Sequence, residues 1–214
     1  MYACIRRDFD RLPEIVRETR ALAHEHGFTL WEDGITAYEL IGLAAQGKRQ
    51  EVKLALQRAK MYSEMEYENA GTWARANMAE GWANLGRVKI ALPLLTEAIE
   101  MMKRNGERYA EAEIARIRGV LALKEIEGGE CSTAESQRAY VVAEDAFRQA
   151  QQIARQQGAK LYELRAATHL ARLLNQLQSG EDARRLLTEV YDSFVEGFDA
   201  PDLRAARDLL EGAS

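Results

Sequence analysis

Proline is scarce in this 214-residue chain, with three in all, and so is cysteine, with two. So few helix breakers, with alanine at about a sixth of the residues, argue against an all-β fold. Cys4 and Cys131 are too far apart in sequence to suggest a metal-site spacing and too few for a disulfide framework, which fits a reducing cytoplasm. Long apolar runs are missing, so no segment reads as a membrane span, and no basic stretch followed by an apolar one reads as a secretory signal. Positive charge is also short: 29 Lys and Arg against 34 Asp and Glu leave a net charge of −5. An acidic surface repels phosphate backbones, so nucleic acid is not an expected partner. What remains is a soluble, cytoplasmic, mostly helical chain.

Glycine punctuates the amphipathic stretches at Gly27, Gly47, Gly86, Gly106, Gly128 or Gly129, Gly158, Gly180 and Gly197. At intervals of about 15 to 25 residues, these positions read as helix C-caps, where a left-handed backbone favours glycine. The intervals predict helices over 10–26, 29–46, 49–67, 71–85, 88–105, 107–126, 136–157, 159–178, 181–196 and 201–212, with 1–7 as the end of a preceding one. Pro93 falls inside its helix, where it removes a hydrogen bond, while Pro13 and Pro201 suit first turns. Asp199 is expected to cap the last helix and Asp202 to favour its positive end.

A spaced triad, small then large then small, recurs in the second helix of each pair. It reads Val52, Leu56, Ala59; Ala91, Leu95, Ala98; Ala143, Phe147, Ala150; and Ala183, Leu187, Val190, with a degenerate first copy at Ile15, Thr19 and Leu22. The partner helices carry Leu40 with Gly42, Ala79 with Gly81, Gly119, and Ala171, small residues that let two helices approach closely. Ordinary amphipathic helices in a bundle explain the periodicity but not the recurrence of the triad. The longer fourth interval places an exposed loop insertion over 125–138.

The triad spacing resembles that of tetratricopeptide repeats in a long-period form of about 40 residues. The stretches 153–174, 179–210 and 21–31 resemble the C-terminal repeat tail of bacterial regulators that join a class III adenylate or guanylate cyclase to an AAA-type ATPase module. EGFDAPDL at 196–203 is the most specific part of that likeness. The resemblance implies an all-α, right-handed superhelical α-solenoid of about five antiparallel helix pairs with a C-terminal capping helix, a single domain over 1–214 that is either a fragment of such a regulator's tail or a stand-alone relative of it. It further implies a module that binds a protein, a peptide or a small effector and regulates an attached or associated signalling domain. A scaffold or homodimerisation domain without a ligand is the alternative, with its open N-terminal end pairing to a second copy.

Catalytic signatures are lacking: no P-loop, no dinucleotide fingerprint, no nucleophile elbow. His24 and His26 diverge by about 200° on a helix and cannot share a metal. The chain is therefore expected to be no enzyme and to hold no cofactor or metal. In a solenoid the first helix of each pair lines the concave wall. The positions there that are offset from packing are Trp73, Asn77, Glu80, Asn84, Arg116, Arg165, Thr168, Arg172 and Asn175. Arg165 and Arg172, two turns apart, would join Arg116 in a positive band suited to carboxylates, phosphates or peptide backbone, unless acids such as Glu113 and Glu163 on neighbouring turns pair with these arginines. Trp82 reads as core; Trp31 and Trp73, at helix starts, could stack a ligand but more often such residues fill a core.

Overall fold

Ser132 shows how local chemistry sets a helix start. Its hydroxyl accepts from the Glu135 amide while the Glu135 carboxylate accepts from the Ser132 amide, a capping box that opens the helix at Thr133. The Ser132 hydroxyl, which also donates to that carboxylate at 2.7 Å, and the Ser132 amide together hold the Glu135 carboxyl below its ordinary pKa. Glu135 thus stabilises the helix start above the unfolded carboxylate pKa, and the stabilisation disappears as pH falls through the lowered folded value. Ser132→Ala is expected to lower stability by about 1 kcal/mol in urea unfolding at pH 7. The deficit should shrink in acid; an equal deficit at pH 3 would show that the bond from the Ser132 hydroxyl to the Glu135 carboxylate contributes nothing.

The computed structural model of the chain describes residues 2–48, 50–52, 68–127 and 132–212. Most of the predicted helix over 49–67, Leu56 and Ala59 of the first full triad, Gly128, Gly129, Cys131 and the Trp31 side chain lie outside the described part. All regular structure among the described residues is helical. The helices are α1 (Tyr2–Ile5), α2 (Leu12–Glu25), α3 (Thr29–Ala45), α4 (Glu68–Asn84), α5 (Val88–Asn105), α6 (Glu111–Glu127), α7 (Thr133–Gln156), α8 (Lys160–Gln176), α9 (Gly180–Tyr191) and α10 (Pro201–Glu211). None of these is long and apolar enough to cross a membrane.

The described structure divides into two compact units at Gly106. In residues 1–106, α2 packs on α3, α3 on α4 and α4 on α5. Leu40, Ala44, Val52 and Leu85 form a core there, with Leu43, Met78 and Trp82 packed against it. In residues 107–214, α7 lies on α6 and α8, and α8 also meets α9 and α10. The larger core of this unit gathers Phe147, Leu164, Leu170, Leu173, Leu187 and Leu203 among others.

Three triads are buried throughout: Ala91, Leu95 and Ala98 in α5, Ala143, Phe147 and Ala150 in α7, and Ala183, Leu187 and Val190 in α9. The glycines of the first-of-pair helices are tightly approached, Gly119 by a triad residue and Gly42 and Gly81 by the preceding described helix. A Cβ at Gly119 would lie 2.6 Å from Phe147 Cε1, one at Gly81 would lie 2.6 Å from Ala44 Cβ, and one at Gly42 would collide with the Leu12 side chain. The degenerate triad behaves otherwise. Ile15 is 37% and Leu22 55% exposed, and α2 instead buries Leu12, Val16 and Ala23. The stripe through 12, 16 and 23 meets α3, because Gly42 leaves room for Leu12.

Further departures follow from turn chemistry. Gly106 closes α5 in a left-handed conformation as expected, φ 68°. Gly180 does not close α8; Gln178 takes the positive φ, 62°, and Gly180 opens α9. The loop expected over 125–138 is shortened from both sides, because α6 runs on to Glu127 and the capping box starts α7 at Thr133. Asp199 does not cap α10. Ala200 holds the N-cap position without a side-chain bond, with Pro201 in the first turn.

Candidate functional site

The nine inner-wall positions divide into buried and exposed sets. On α4, Trp73 is buried beside Tyr38, with ring centroids 6.0 Å apart. The Asn77 amide donates to the Trp73 carbonyl at 2.8 Å, as a core side chain does. Glu80 accepts both of its 2.9 Å bonds from Arg7, leaving Asn84 as the exposed residue of the four. Ligand stacking by Trp73 is therefore not what its surroundings offer. Packing holds it. Trp82 is partly buried against its core, as expected.

In the second unit the sequence places Arg116 on α6 and Arg165, Thr168, Arg172 and Asn175 on α8. Arg116 is 0% exposed and grips Glu113, one turn earlier, through Nε to Oε2 at 3.0 Å and Nη2 to Oε1 at 2.8 Å. Its Nη1 lies 3.1 Å from His169 Nε2. A guanidinium only donates, so His169 must accept there and carry its proton on Nδ1. Phe147 stacks on the same imidazole, centroids 5.3 Å apart.

Arg165, 4% exposed, bonds Asp202 of α10 at 2.8 Å and 2.7 Å and reaches Glu113 at 3.3 Å. Burial alone would lower its pKa, but the Glu113 and Asp202 carboxylates together outweigh that and leave it above the ordinary arginine value. Glu113 thus sits between two guanidinium groups, and the four side chains tie α6, α8 and α10 together. Of the two acids weighed as partners, Glu113 pairs as foreseen, though buried rather than solvated, whereas Glu163 binds Arg155 at 2.8 Å. Thr168 is turned inward, its hydroxyl bonded to the Leu164 carbonyl at 2.8 Å.

The positive band of Arg116, Arg165 and Arg172 is accordingly not a continuous open surface. Two of its members are enclosed and matched by carboxylates, while Arg172 and Asn175 are exposed. The helical spacing is right, but Asp202 at the start of α10 takes up Arg165, whereas Arg172 keeps an exposed side chain. Sequence offered one sign of this, an acid in the first turn of α10, which by itself reads as a dipole partner.

Other reactive groups are muted. Burial pushes the Cys4 thiol up to about 11, so it stays protonated at neutral pH and is a poor nucleophile. Among the described residues, no three His, Cys, Asp or Glu side chains are grouped to hold a metal.

One concavity went unread in the sequence. A groove of about 440 Å³ runs between α2 and α3, floored by Leu12, Val16, Gly42 and Leu43 and rimmed by Arg17, Arg20, His24 and Glu39. Its signal was the stripe Pro13, Arg17, Ala21, His24 along α2, one face round from the stripe that meets the core.

No match was found among protein-family models, curated proteins or solved structures.

Proposed function

We propose that the chain is a non-catalytic interaction or sensing module of the tetratricopeptide type, stacked as a right-handed α-solenoid that ends in a capping helix. In this role it binds a protein, a peptide or a small effector and regulates a signalling domain of the cyclase or ATPase kind, attached or associated. The observation that carries the proposal is the repetition of one packing device. Three second-of-pair helices, α5, α7 and α9, bury the same small–large–small triad. Beneath Phe147 the device is complete, since Gly119 of the paired helix has no room for a methyl group. A stack of such hairpins leaves its first helices to form a wall available for contact.

On that wall Asn84, Arg172 and Asn175 are the nominated residues with exposed side chains. The full chain is immobilised, partners are captured from lysate of its native cell and identified by cross-linking, and the capture is repeated with Arg172→Glu and Asn175→Ala together. Loss of a partner that unsubstituted chain retains is the expected result. Retention of every partner would remove the wall at α8 from the binding surface, and small-angle scattering of a spherical particle would remove the solenoid.

A further inference from the structure

We propose that the loop between α9 and α10, residues 192–200, is a contact site for a partner protein that presents an apolar surface ringed by lysine or arginine. It rests on the interaction-module function but names a surface apart from the inner-wall residues.

The first support is an apolar tip held out on a braced backbone. Val195 is 90% and Phe198 41% exposed. Single exposed apolar residues are ordinary on a protein surface, but here the backbone on either side of the tip is pinned. Before it, Tyr191 and Phe194 pack against the core of residues 107–214. The Ser193 hydroxyl donates to the Val190 carbonyl at 2.7 Å, and the Lys160 ammonium of α8 donates to the Ser193 carbonyl at 2.9 Å. After it, Gly197 turns the chain at φ 77°, and the Ala200 amide donates to the Gly197 carbonyl at 2.8 Å. The Phe198 ring lies 5.9 Å from that of Tyr191, centroid to centroid. A partner covering Val195 and Phe198 would bury apolar area at little cost in ordering the loop.

The stretch 196–203 divides in the same way. Gly197 makes the turn, Pro201 opens α10, Asp202 holds Arg165, and Ala200 and Leu203 are buried. Glu196, Phe198 and Asp199 are exposed, and Asp199 does not cap α10.

Charge selects the partner. Residues 192–199 contain Asp192, Glu196 and Asp199 and no Lys or Arg. All three acids are exposed, and among the described residues none of them is ion-paired. Lys160, at the Ser193 carbonyl, offsets one of the three charges. Cations around an apolar partner surface would therefore meet net negative charge. The same charge repels an anionic bilayer, and a second copy meeting loop to loop would set acid against acid.

The test uses the full chain, labelled with 15N, and two constrained model helices of about 16 residues sharing one Leu stripe. One has lysines flanking the stripe, the other glutamates. Expected are binding of the lysine helix about tenfold tighter than the glutamate helix, and amide shifts centred on residues 190–200. Val195→Ser changes an exposed side chain, so it should keep the fold and weaken the lysine helix about fivefold or more. Glu196→Lys with Asp199→Lys should reverse the preference between the helices. Equal affinity for the two helices, indifference to Val195→Ser, or shifts away from the loop would overturn the proposal. Self-association in sedimentation, or binding to phosphatidylserine vesicles, that Val195→Ser abolishes would overturn it too, by giving the loop to a second copy or to a bilayer. If the loop fails while Arg172→Glu with Asn175→Ala still costs the chain a captured partner, the interaction function survives without this site.

Discussion

Arg165→Met is expected to destabilise residues 107–214 by about 3–5 kcal/mol, because it strands buried charge. Asp202 would lose its guanidinium bonds from Arg165 at 2.8 Å and 2.7 Å, and Glu113 would lose the Arg165 cation at 3.3 Å. Methionine fills much of the vacated volume, so the loss comes from carboxylates deprived of the Arg165 cation more than from a void. The double substitution Arg165→Met with Asp202→Leu removes one acid and one base together and leaves the Glu113–Arg116 pair in place. It should recover most of the loss, since a matched pair replaced by apolar groups is often neutral. Urea unfolding followed by circular dichroism measures both. A single-variant loss under about 1 kcal/mol would mean that water reaches Asp202 and that the network is not closed.

Phe147→Ala should cost a similar amount, about 3–5 kcal/mol, by opening a cavity beneath the α7 triad. The ring is 0% exposed and packs over Gly119 and beside His169. The opposite change, Gly119→Ala, brings a methyl group to 2.6 Å from the ring edge. Overpacking of about 1–3 kcal/mol then outweighs the gain of about 1 kcal/mol in helix propensity. The two sites share one space, so Gly119→Ala combined with Phe147→Leu should be less damaging than the sum of the single changes. Strict additivity in a double-mutant cycle would show that glycine and ring do not oppose each other, which would remove the packing device on which the repeat proposal stands.

The legible part of the fold was the part set by neighbours in sequence. Val88–Asn105 matches its expected bounds, since Gly106 closes it and Pro93 is tolerated within it. Gly42, Gly81 and Gly119 were recognised as points of close approach because nothing but size recommends glycine inside a helix. The capping box at Ser132 was present in the sequence too, yet the surrounding Gly, Ser and Thr residues read as loop, and the start of α7 was placed three residues late. The triad at Ile15, Thr19 and Leu22 failed for a different reason: α2 has two apolar stripes, and periodicity alone does not say which one another helix will cover.

The candidate site was legible in its residue types and not in their state. Arg116 and Arg165 were singled out as cations on a shared wall, and both prove to be enclosed by carboxylates. Asp202 is 37 positions from Arg165. A pairing over that distance leaves no periodic trace.

What the sequence determined by itself is the helical character of the chain, most helix ends, and the recurrent triads, because capping, glycine conformation and a 3.6-residue period act within a few residues of chain. What tertiary structure alone decided is which flank of α2 is covered, which arginines are paired and where a groove stays open. Burial depends on the element laid across a side chain, and that element is brought there by the fold from far along the sequence.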